Sequence, residues 1–127
     1  MFVTAHLLTG AAIASVVPSP VLNVPLAFGS HFLLDSIPHW PKVVPGKKLA
    51  REVYFVIVTD VLIGGITLGW LLVSGIATNT MLLGALVAVL PDLDAVFYNG
   101  PLVGRIRSPL GKWFHFHGAI QNETNLL

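Results

Sequence analysis

Two histidines and an aspartate stand within nine residues in HFLLDSIPHW, residues 31–40, of a chain that is 54% hydrophobic and only 10% charged. His31 and Asp35 are four apart and share a face of a helix, and His39 continues that line unless the turn made by Pro38 swings it away. Ionisable groups in apolar surroundings are costly unless paired, hydrated or bound to a metal. The same residue types recur as His6, as Asp60, as Asp92 and Asp94 in VLPDLDAVFY, and as His115 and His117 in WFHFHG. There is no cysteine, so thiolate sites and disulfides are excluded. Imidazoles and carboxylates together suit Zn²⁺, with Mn²⁺ and Fe²⁺ as alternatives, and such a site can hold one or two ions that lower the pKa of a bound water. Hydrolysis is the natural reaction class.

The elements that must position these residues follow from the apolar runs and the Pro and Gly between them. At 127 residues the chain is one domain. Its composition is that of an all-α integral membrane bundle of about four spans, the first two short. The first covers about 2–17 and stops at Pro18-Ser19-Pro20; the second runs over about 21–37. The third, about 52–74, and the fourth, about 80–98, are long enough to cross a bilayer. Residues 99–127 form an interfacial or cytoplasmic segment, with Trp40, Tyr98 and Trp113 as interfacial anchors. Small residues such as Gly64, Gly65, Gly69, Gly84 and Ala85 let helix backbones approach. The first run has no basic segment before it and carries His6 within it, so it reads as a span rather than a cleaved leader.

The cations give an orientation. Lys42, Lys47, Lys48 and Arg51 lie between spans two and three, and Arg105, Arg107 and Lys112 follow span four. The positive-inside rule assigns both groups, and both termini, to the cytoplasmic side of the inner membrane. On that topology His6, His31, Asp35, His39, Asp60, Asp92 and Asp94 all fall in the cytoplasmic half, although none of them was used to set it. His115 and His117 lie outside the spans and complete the set of candidate metal ligands. Pro91 interrupts span four and leaves Asp92 and Asp94, two apart, able to reach one centre from an irregular turn. A net charge of +1 with no concentrated basic patch argues against nucleic acid as a partner.

HLLTGAAIAS, HFLLDSIPHW, LPDLD and the terminal histidine pair resemble the membrane-bound metal-dependent hydrolases, small multi-span proteins, over most of the chain. HFLLDSIPH is also similar, over one helix, to segments of zinc-dependent phospholipase C. The resemblance implies a metal site that includes His6, His31, Asp35, His39, Asp92 and Asp94. Two features depart from it: Trp40-Pro41 follows His39 where relatives often have an acidic residue, and His115 and His117 are spaced more closely than usual.

The reading is a metal-dependent hydrolase with its site at the cytoplasmic membrane interface, acting on a lipid-linked phosphoester, with a divalent metal as cofactor and membrane lipid as partner. Asp60, from a different span and somewhat deeper, is the candidate proton acceptor, or the group that orients a ligand imidazole. A cation or proton transporter would use Asp60 as its carrier, but Val61–Trp70 offers only Thr67 as a polar path beyond it. A metal-stabilised structural or adaptor protein would use the same ligands in a closed site.

Overall fold

The computed structural model describes residues 2–40, 51–93 and 109–121; within the last segment, residues 109–112, 114 and 115 are described by backbone alone. These residues form α1 (Val3–Val16), α2 (Pro20–Asp35), α3 (Arg51–Val73), α4 (Asn79–Val89) with a 3₁₀ turn at Leu90–Asp92, and α5 (Pro109–Ile120). The all-α class holds. Among the described residues one helix, Arg51–Val73, is long and apolar enough to cross a membrane, while α1, α2 and α4 are shorter apolar helices.

Local chemistry accounts for the helix limits. The helical pattern of α1 closes with the Val17 amide on Ile13 O (2.8 Å), just before Pro18. Pro20 begins α2 at its first position, where no N–H is needed. Thr78 caps α4, its hydroxyl accepting from the Met81 amide (3.3 Å). Pro91 has no N–H to continue the α pattern, so the expected run over 80–98 is interrupted by the 3₁₀ turn. Asp94, Tyr98, Lys42, Lys47, Lys48, Arg105 and Arg107 lie outside the described residues.

The helices pack in an inside-out arrangement. The largest fully buried side chains are polar: His6, His31, Asn23 and Asp35 at 0% exposure and His117 at 1%. Around them the buried apolar residues are mostly small, Ala11, Ala14, Ala27, Ala85 and Ala88, with Leu7 and Leu68. Large apolar side chains face outward instead, including Val21, Leu22 and Leu33 on α2 and Phe55, Ile66 and Trp70 on α3. A soluble core has the opposite distribution, whereas lipid-facing helices pack through small residues and keep polar groups inside.

The closest approach joins α1 to α4. A Cβ built on Gly10 would overlap Gly84 O, and one built on Gly84 would overlap Gly10 O. Only hydrogen fits at either position, and this contact fixes the axial register between the two helices. On the other side of α1, Gly64 of α3 sits against Thr4 and Leu7, where a Cβ would lie 2.9 Å from Thr4 Oγ1 and 2.8 Å from Leu7 Cδ1.

Candidate metal centre

Each functional side chain is brought to one end of the bundle by the helix that carries it. His6 is in the first two turns of α1, His31 and Asp35 in the last two turns of α2, and Asp92 in the 3₁₀ turn after α4. One ligand atom from each of these four residues lies within 4.8 Å of the others. His6, His31 and Asp35 are fully buried, and the Asp92 side chain is 16% exposed.

The hydrogen bonds fix the state of the ring nitrogens. In the last turn of α4, where helix carbonyls lose their intrahelical partners, Ala88 O accepts from His31 Nδ1–H at 2.7 Å. A neutral imidazole with its proton on Nδ1 has its lone pair at Nε2. That lone pair faces Asp35 Oδ2 at 3.0 Å and Asp92 Oδ1 at 3.6 Å. His6 Nε2 lies 3.2 Å from Asp35 Oδ1 and 3.9 Å from Asp92 Oδ2, yet neither His6 Nε2 nor Asp92 Oδ2 makes a hydrogen bond within the described residues. Buried polar atoms are rarely left this way. Lone pairs that converge in a low-dielectric interior repel one another, and a cation among them removes the repulsion. The donor set therefore fits a divalent ion held by His6, His31, Asp35 and Asp92, with the Ala88 carbonyl as the outer group that orients the His31 ring.

A fifth residue joins the cluster. His117 Nε2 is 3.0 Å from His31 Nε2 and 3.1 Å from Asp35 Oδ2, and the side-chain amide of Gln121, one turn further, lies 3.3 Å from the same nitrogen. Aromatic packing delivers α5 to this position. Trp113 sits against Phe28 and Phe32 (centroids 5.9 and 5.7 Å), and Phe116 against Phe32 (6.0 Å). Trp113, expected as an interfacial anchor, instead docks α5 on α2. Nothing in the spacing of WFHFHG signals this; the signal is the i, i+4 pair Phe28 and Phe32, one turn before His31 and level with it on α2.

The other expected residues are placed differently. His39 lies outside the group of four, and its Nδ1–H donates to Ile37 O at 2.8 Å, because Pro38 ends the helical line and turns the ring back on its own backbone. The His115 side chain and Asp94 lie outside what is described. Asp60 also lies outside the group of four. Its Oδ2 accepts from the Thr4 amide at 3.2 Å, and its main-chain carbonyl accepts from the Thr4 hydroxyl at 2.8 Å. Thr4 is in the first turn of α1, whose own N-cap residue, Phe2, provides no side-chain acceptor. Asp60 therefore caps α1 from a neighbouring helix, and its charge complements the helix dipole.

That role separates two substitutions. Asp60→Asn keeps an acceptor for Thr4 and should leave thermal stability in detergent nearly unchanged. Asp60→Ala removes it and should cost roughly 0.5–2 kcal/mol, the usual range for a lost cap. Equal destabilisation by the two would show that charge, not capping, is what Asp60 contributes.

Fold and cluster together define an all-helical protein with a buried His/Asp group that could hold a metal ion. No family model, curated protein or solved structure matches the chain.

Proposed function

We propose that the chain is a metal-dependent hydrolase embedded in the membrane, with its site at the cytoplasmic end of the helices and a lipid-linked phosphoester as substrate. The observation that carries the reading is the meeting of His6 Nε2 and Asp92 Oδ2, which make no hydrogen bond among the described residues, with His31 and Asp35 in an interior otherwise built largely of alanine and glycine. A divalent ion held there, Zn²⁺ by its fit to mixed nitrogen and oxygen donors, would polarise a phosphoryl oxygen and acidify a coordinated water. His31 keeps its lone pair directed inward because Ala88 O retains the proton on Nδ1. Asp35 balances cationic charge at the centre of the cluster. Asp92, the member of the four with exposed surface, lies where the site meets its surroundings.

Membrane insertion is supported by the outward-facing apolar side chains and by the length of α3. The orientation with both termini inside rests on the two cationic segments. Transport is disfavoured by two observations. Asp60, the natural carrier, is engaged with Thr4, and the Gly10–Gly84 contact with Ala11, Ala85 and Ala88 closes the interior beyond the cluster. A purely structural metal site is disfavoured by the exposed edge of Asp92.

The test is elemental analysis of the detergent-purified protein together with a panel of lipid phosphoesters. Bound Zn²⁺, Mn²⁺ or Fe²⁺ and turnover in the wild type, both lost in His31→Ala, are expected. A metal-loaded protein that turns over no phosphoester would leave the site structural.

A further inference from the structure

We propose that the cluster holds two metal ions rather than one, bridged by the carboxylates of Asp35 and Asp92, with His117 as a ligand of the second ion. This rests on the cluster being a metal site, and it adds a position that the group of four does not contain.

The three imidazoles are arranged in two ways. His31 and His117 converge: their Nε2 atoms are 3.0 Å apart, their ring planes are inclined by 54°, and both face Asp35 Oδ2, at 3.0 and 3.1 Å. Two imidazole nitrogens on one tetrahedral ion lie about 3.3 Å apart on splayed rings, given metal–nitrogen bonds of about 2.0–2.1 Å. This trio therefore matches a single ion. His6 and His31 instead stack, with centroids 4.0 Å apart and planes inclined by 23°. Stacked rings whose Nε2 edges face the same carboxylates direct their lone pairs side by side, so they serve neighbouring ions more readily than a common one.

The carboxylates divide along the same line. Asp35 offers Oδ1 to His6 Nε2 (3.2 Å) and Oδ2 to His31 and His117. Asp92 repeats the pattern, with Oδ2 toward His6 (3.9 Å) and Oδ1 toward His31 (3.6 Å). Each carboxylate presents one oxygen to each side. Ions in two-metal sites stand about 3.5–4 Å apart, a spacing like that of the stacked rings. A two-ion centre of this kind stabilises both the attacking and the leaving oxygen of an in-line displacement, which selects phosphoesters over carboxylic esters as the substrate class.

Metal stoichiometry and spin coupling test this on the intact protein in detergent. After saturation with Mn²⁺ and removal of excess ion, the wild type should retain two ions per chain and give an exchange-coupled paramagnetic resonance spectrum. His117→Ala and His6→Ala should each retain one, with the spectrum of isolated Mn²⁺. One uncoupled ion in the wild type, unaffected by His117→Ala, would overturn the two-ion centre and leave the hydrolase reading standing. No retained Mn²⁺, and no Zn²⁺ in a parallel loading, would overturn both. The wild-type spectrum decides the matter even where a variant fails to fold.

Discussion

Stripping the metal from the detergent-purified protein should lower its melting temperature by on the order of 10 °C, and the same chelator should barely move His31→Ala. A ligand that binds only the folded state at a thousand times its Kd contributes about 4 kcal/mol, and a structural divalent ion reaches that regime readily. Removing it leaves Asp35 and Asp92 facing bare nitrogens with little water to screen them. The drop should reverse on adding Zn²⁺ back. An unchanged wild-type melting curve, with the metal shown to be gone, would mean that protonated histidines already neutralise the cluster.

Asp35→Asn should be the most damaging conservative substitution in the chain. The Asp35 carboxylate touches all three imidazoles, with Oδ1 toward His6 and Oδ2 toward His31 and His117. An amide has nearly the same shape but no charge, and its N–H₂ has no lone pair to offer a cation. Loss of an outer partner of a metal ligand costs roughly 10–100-fold in affinity or activity. Loss of the central carboxylate should exceed that range in both metal affinity and phosphoester turnover, read from a metal titration and an assay on the same preparation. His39→Ala is the matched control and should fall less than about threefold, since its ring bonds to Ile37 O. Retention of metal by Asp35→Asn would move the centre of the site to Asp92.

The gathering of His6, His31, Asp35 and Asp92 was legible because it follows from short-range rules. Four-residue spacing puts His31 and Asp35 on one face, Pro91 breaks α4 beside Asp92, and the cations put the polar ends of the helices together. The helical class and the first three helix limits followed from Pro and Gly positions. Two features were only partly legible, the capping contact of Asp60 and the way His117, a candidate ligand from its residue type, reaches the cluster, because both depend on contacts between distant residues. Asp60 meets Thr4 across 56 positions, where Gly64 lets α3 sit close against α1, and this places it at the N-terminus of α1. His117 meets His31 across 86 positions, delivered by Trp113 packing on Phe28 and Phe32. The near coincidence of helix ends explains why a rule about charge predicted a cluster but not its full membership.

The contact between Gly10 and Gly84 has a meaning for traffic through the protein. Two backbones pressed together, flanked by Ala11, Ala85 and Ala88, leave no room for a side chain between α1 and α4 beyond the cluster. On the proposed reading the site is a cul-de-sac: whatever enters beside Asp92, whether ion, water or substrate headgroup, would leave by the same door. Product release and metal exchange then compete for one mouth, and the compartment on that side alone sets the metal supply, the acidity and the pool of substrates that the site experiences.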